Sequence, residues 1–390
     1  MKILLGGIPL GCDNIGDEAI IACVVKMLKE SVPGVELTVA TADPATAVNL
    51  GVNVVPVFGF LDIGFHGFAD EVRRHDAYVW CGATGLSDYP HVGLGLLEIA
   101  QKAGVPTFVW GVGMDDELNP VFFKVAGKRR FLLRCFGLVG WYERHLRARL
   151  ARRIARVLPR CRGVWLRDPQ SAAMLASMGF PNAGIAADTA ILLTGISGKS
   201  GNSGAPPTLG LCISTQRQVV DLDGVRRMIA AVQASGARIL GIPMNIKTDR
   251  ALLEKLGVAC IPGTTPEAVV EAAAECDVVL SSRLHLLILA ANAGTPGLGI
   301  ARGSKLANWL SNFNQTVVGS VYDCDWDKVT EKVLAAFKGW GEPSLRADDG
   351  WGEPSRRAAS DWTSVRAVAY ERLTNRLEKA RNEFVARLTS

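Results

Sequence analysis

Short apolar, β-branched runs alternate with stretches of helical length along most of the chain. Runs at 2–5, 36–40, 54–57, 77–80, 107–110 and 164–166 predict strands. Gly6, Gly7, Gly11 and Gly16 lead from the first run into a predicted helix at about 17–29. Gly82 and Gly85 follow Trp80, Gly111 and Gly113 follow Trp110, and Arg167, Asp168 and Pro169 precede a helix to Met178. Glycine at a strand end lets backbone approach a ligand closely. None of these loops is a G-x-G-x-x-G, so a dinucleotide site is not supported. A second series of runs lies at 209–214, 238–242, 258–261, 278–281 and 298–300. Helices there are predicted to start near Asp223, Thr248, Pro266, Leu284 and Lys305. Alternation repeated twice predicts two Rossmann-like α/β domains, 1–193 and 209–322, with mostly parallel sheets. The expected cleft between them would collect the carboxyl-end loops of both.

The segment 194–208 is rich in Gly, Ser and Pro and reads as a linker. Its Gly198, Lys199 and Ser200 do not make a P-loop, because Leu193 stands where that motif needs glycine. A tail at 323–390 follows. Asp323, Asp325 and Asp327 are expected to cap a helix rather than hold a metal. Residues 339–344 recur as 350–355, too few copies for a solenoid, and predict a mobile loop. A charged helix at about 361–388 ends the chain.

Length and composition narrow the class. At 390 residues the chain exceeds one ordinary core. A net charge of +5 is too mild to argue for nucleic acid. Nine scattered cysteines, without C-x-x-C or zinc spacing, predict reduced thiols, no metal site and a cytoplasmic protein. The stretch from Lys2 to Cys12 is interrupted by Gly and Pro and is too short for a signal segment.

The densest chemistry lies at 278–296. Ser281, Ser282, Arg283 and His285 interrupt a setting otherwise apolar almost all round, so the helix from Leu284 should be buried. An arginine and a histidine at the carboxyl end of a buried strand are costly without a purpose. That edge is where open α/β sheets bind ligands. From these residues alone a satisfied core histidine and an acid-paired arginine remain equally open.

Four stretches carry a family resemblance: 11–19 with Asn14 and Gly16, 167–171, 187–190 with Asp188, and 281–285 with 291–296. In order and spacing they resemble the polysaccharide pyruvyl transferase family over about residues 1–320. The resemblance implies transfer of a pyruvate ketal from phosphoenolpyruvate to two hydroxyls of a sugar in cell-surface polysaccharide biosynthesis. No cofactor is implied beyond that donor substrate. Arg167 and Arg283 match the family's donor-binding arginines, and His285 matches as acid, base or both. Ser281, Ser282 and Leu284 lie in the same motif, and Arg302 and Lys305 are further candidate phosphate contacts. Asn14 and Gly16 are candidates for the acceptor sugar, lipid-linked or free. Asp188 is expected to orient His285 or an arginine, or simply to cap a junction. Where many members show His-Pro, this chain has Pro243 through Asp249, and only Asp249 is retained.

Two linked α/β domains are also the general design of GT-B-like transferases. A glycosyltransferase or epimerase using a nucleotide sugar, and a non-catalytic scaffold of a polysaccharide assembly complex, are therefore alternatives. One feature lies outside all three: 12 of the 35 residues in 128–162 are Lys or Arg. Trp141, Leu146, Leu150, Ile154 and Val157 recur there at helical spacing. Such a helix either covers a sheet or lies peripherally on an anionic membrane.

Overall fold

The computed structural model describes residues 1–193, 205–215, 220–338 and 362–390. Most of the expected linker, the 339–355 duplication and residue 361 of the last helix lie outside them.

Seven strands form one parallel sheet: β1 (Lys2–Gly6), β2 (Glu36–Thr41), β3 (Asn53–Pro56), β4 (Ala77–Cys81), β5 (Thr107–Val112), β6 (Gly163–Leu166) and β7 (Gly184–Ile185). Their order is β3-β2-β1-β4-β5-β6-β7. β4 and β5 are buried at every residue, which is why they read as unbroken apolar runs instead of alternating ones. Trp80 of β4 fills space that Gly7, Gly85 and Gly93 leave open. A Cβ on any of the three would stand 2.2–2.5 Å from its ring.

The second sheet holds β8 (Thr208–Cys212), β9 (Arg238–Gly241), β10 (Val278–Ser281), β11 (Gly297–Ala301) and β12 (Gly319–Ser320). It is parallel, in the order β12-β11-β10-β8-β9. The strand order reverses between β8 and β10, and such reversals open a crevice at the carboxyl ends.

One expectation needs correction. The run 258–261 is no strand; it makes a single bridge, Cys260 to Gly241. Pro243 and Pro262 stand just beyond and offer no N–H to extend the ladder. One compact unit comprises Met1–Cys12, Ile20–Thr189 and Leu373–Ser390; the other comprises Asp13–Ala19 and Ala190–Arg372.

The last helix, Trp362–Thr389, therefore contributes to both cores. Within the first unit Phe384 is fully buried and stacks on Trp110, with ring centroids 5.0 Å apart. Within the second, Trp362 Nε1 donates to the Gly294 carbonyl at 2.6 Å.

Asp325 caps the helix Trp326–Ala336, accepting from the Lys328 N–H at 3.1 Å. The arginine-rich segment forms two helices, Gly127–Cys135 and Val139–Val157. Leu150, Ile154 and Val157 are buried, whereas Trp141 is exposed. No helix among the described residues is long and apolar enough to cross a membrane.

Candidate active site

In the second unit the carboxyl end of β10 makes a tight turn. Ser281 Oγ accepts from the Arg283 N–H at 2.8 Å and donates to the Arg283 carbonyl at 2.9 Å. Ser281 is fully buried, so its hydroxyl shapes the turn. Ser282 Oγ accepts from the Ser214 N–H at 2.9 Å, tying the loop after β8 to the loop after β10. Arg283 is left extended, with φ −107° and ψ 123°, at the start of the buried helix Leu284–Asn292.

Arg283 grips Asp249 through both prongs, Nε to Oδ2 at 3.0 Å and Nη2 to Oδ1 at 2.8 Å. Asp249 Oδ2 also accepts from the Asn245 N–H at 2.9 Å. The carboxylate is completely buried, while 17% of the Arg283 side chain stays accessible. Part of the Arg283 side chain is thus accessible, whereas its partner is not. Burial by itself would lower the Arg283 pKa, but Asp249, with lesser help from Cys212 and Asp17, raises it. Burial, then the charge of Asp249, pushes the Cys212 thiol well up and keeps it protonated.

His285 lies two residues beyond Arg283, its ring against Gly16. A Cβ on Gly16 would come within 2.2 Å of Nδ1, so glycine is what lets the ring sit there. The Gly16 N–H donates to Asn14 Oδ1 at 3.2 Å, and Asn14 Nδ2 donates to Asp17 at 2.7 Å. The segment that departs from the family pattern holds this loop. The Ile15 N–H donates to the Met244 carbonyl at 3.0 Å, the Ile246 N–H to the Asp13 carbonyl at 3.1 Å, and Lys247 pairs with Asp13 at 2.7 Å.

Seven of the candidates are thus brought into one unit around one turn: Asn14, Gly16, Ser281, Ser282, Arg283, Leu284 and His285. Arg302 and Lys305 follow β11, which pairs directly with β10, and both are half-buried.

The pair Arg167 and Asp188 belongs to the first unit. Arg167 follows β6 and is buried. Its Nε donates to Asp168 at 3.2 Å and its Nη1 stands 3.7 Å from Asp188, the arginine partner among the roles expected for that acid. Burial opposes the charge of Arg167, but Asp168, Asp188 and Asp115 outweigh it and raise its pKa. Nη1 makes no hydrogen bond among the described residues. Gly113 makes room beneath the guanidinium, since a Cβ there would lie 2.6 Å from Nη2. Asp168 also caps the helix Pro169–Ser177 by accepting from the Ser171 N–H at 2.7 Å.

Reading the sequence missed Asp115, Asp168 and Cys212, and left Asp249 without a role. The usable signal was the pair of arginines at buried strand ends, because each demands a carboxylate. Among the described residues no group of three or more His, Cys, Asp or Glu side chains is arranged to hold a metal ion.

Gly16→Ala is expected to push the His285 ring aside. Misplacing a reacting group by about 1 Å costs about a hundredfold in rate. Unchanged turnover in that variant would count against His285 as a reacting group.

Two parallel α/β sheets with a helical tail define a GT-B-like fold. Similar solved structures include a UDP co-structure of S. aureus MnaA, at 12% identity and TM-score 0.57, covering 98% of this chain and 97% of that one. A ugt transferase from Siraitia grosvenorii in complex with UDP has 12% identity and TM-score 0.55, covering 100% and 99%. The UDP-GlcNAc 2-epimerase from Neisseria meningitidis bound to UDP-GlcNAc has 11% identity and TM-score 0.51, covering 97% and 100%. No curated protein matches the sequence significantly. The family model described as polysaccharide pyruvyl transferase matches residues 14–304, most of the chain. The chain belongs to that family, and by family it is a transferase.

Proposed function

We propose that this transferase moves the carboxyethylidene group of phosphoenolpyruvate onto two hydroxyls of a sugar, in building a cell-surface polysaccharide. The observation that carries the reading is the Arg283–Asp249 fork beside His285, at the carboxyl end of β10. Phosphoenolpyruvate brings a carboxylate and a phosphate. A guanidinium is the side chain whose geometry matches either one bidentately. Asp249 holds Arg283 through Nε and Nη2 and so fixes its orientation, and the donor is proposed to meet the guanidinium at its other, Nη1–Nη2 edge. Arg302, Lys305 and the amino terminus of the helix Leu284–Asn292 add positive potential at the same strand ends. Arg167 is assigned to donor binding by its family match alone.

The reaction conserves its protons. One acceptor hydroxyl adds to C2 as C3 gains a proton. Phosphate then leaves with the C–O electron pair, and the second hydroxyl closes the ketal. Of the two hydroxyl protons, one ends on C3 and the other on phosphate. His285 is the group proposed to carry them, because imidazole exchanges protons near neutrality. Asn14 and Gly16, at the start of the helix against which His285 packs, are proposed to meet the acceptor.

Phosphate release from phosphoenolpyruvate, assayed against free, nucleotide-linked and lipid-linked sugars, tests this. Release should appear only with a competent acceptor. Turnover of a UDP-sugar without phosphoenolpyruvate would replace the proposal with the nucleotide-sugar alternative that the fold also permits.

A further inference from the structure

Fifteen large apolar side chains are exposed among the described residues, and six of them fall between positions 121 and 141: Val121, Phe131, Leu132, Phe136, Leu138 and Trp141. The helix Gly127–Cys135 has no buried residue at all. A nine-residue helix without a buried stripe is marginal in water, so something should cover it. Its geometry is nevertheless defined. Gly137, in the left-handed region at φ 66°, turns the chain back, and its N–H and that of Leu138 donate to the Arg134 and Leu133 carbonyls. Arg129 lies over the Tyr142 ring at 4.3 Å, and the Val125 N–H donates to Glu143 at 3.2 Å. The helical hairpin is thus braced from inside while Phe131, Leu132, Phe136, Leu138 and Trp141 stay exposed.

Charge decides what it fits. Lys128, Arg129, Arg130 and Arg134 sit on the same short helix, Arg144 and Arg147 follow on the next, and Glu143 is the single acid from 121 to 150. Further along, Leu150, Ile154 and Val157 anchor the second helix in the core. Exposed apolar and aromatic residues interspersed with exposed cations match an anionic bilayer surface, where the rings enter the interface and the cations meet headgroups. Nucleic acid would offer nothing to Val121, Leu132 or Leu138.

We infer that residues 121–147 dock the protein on an anionic lipid bilayer. The inference does not rest on the proposed chemistry, because it is measured without any substrate. The test is co-sedimentation of the whole protein with phosphatidylcholine vesicles and with vesicles containing phosphatidylglycerol, at low and high salt. Binding should require the anionic lipid and weaken in salt. Lys128→Ala with Arg130→Ala should lower partitioning roughly thirty-fold, about five-fold per cation. Phe131→Ser with Phe136→Ser should abolish it while circular dichroism stays unchanged, since both rings are exposed. No binding to anionic vesicles at low salt would overturn the inference. So would vesicle binding indifferent to both pairs, or self-association or nucleic-acid binding that the serine pair abolishes in a protein that ignores vesicles.

Discussion

His285→Ala is expected to lower ketal formation by a factor of about a hundred to ten thousand while phosphoenolpyruvate still binds. The split between the two effects carries the information. His285 packs on Gly16, whereas Arg283 is held through Nε and Nη2 by Asp249. Removing the imidazole should therefore spare the anion site and stop proton movement. Calorimetric titration with phosphoenolpyruvate, beside turnover with the competent acceptor, checks both halves. Near wild-type turnover would remove His285 from the chemistry; loss of donor affinity alone would make it a binding residue.

Asp249→Ala should destabilise the second unit by about 3–5 kcal/mol, because it leaves the largely buried charge of Arg283 without its partner. Urea denaturation measures this. Much of that cost belongs to the stranded arginine, so Asp249→Ala combined with Arg283→Ala should be more stable than the sum of the single changes. Arg283→Lys keeps a charge beside Asp249 but loses the fork, and should bind phosphoenolpyruvate more weakly. Strict additivity in the double variant would mean that the two groups do not support each other. Unchanged donor affinity in Arg283→Lys would take that arginine out of the donor site.

Much of the fold was legible because its signals are local. β4 and β5 announce themselves as unbroken apolar runs, and the helix from Leu284 is apolar almost all round because every residue but His285 is buried. The run 258–261 has the same local texture as a strand. It fails because Pro243 and Pro262 end the ladder, a fact that depends on which segments become neighbours. β7 and β12, at two residues each, are too short for any period to register.

The site divides along the same line. Arg283 and His285 stood out because charge in an apolar run is anomalous on its face. Their partners did not. Nothing in the neighbourhood of Asp249 says that its carboxylate will meet Arg283, and Gly16 looks like any glycine before a helix. Only the fold brings Gly16 against His285 and Met244 against Ile15. The stretch from Pro243 to Asp249 reads as a loss when compared with the family pattern. In the structure it is the support for both the Asp13–Ala19 loop and the arginine.

The central claim is formation of a ketal from phosphoenolpyruvate, and the most direct measurement follows its C2 carbon. Donor labelled with carbon-13 at C2 should yield, with the intact protein and a competent sugar, a quaternary ketal carbon bonded to two sugar oxygens. Equal amounts of phosphate should be released, and both signals should fall by at least about a hundredfold with His285→Ala. If the label remains in phosphoenolpyruvate or pyruvate across the whole acceptor panel while a nucleotide sugar is consumed, the account is contradicted.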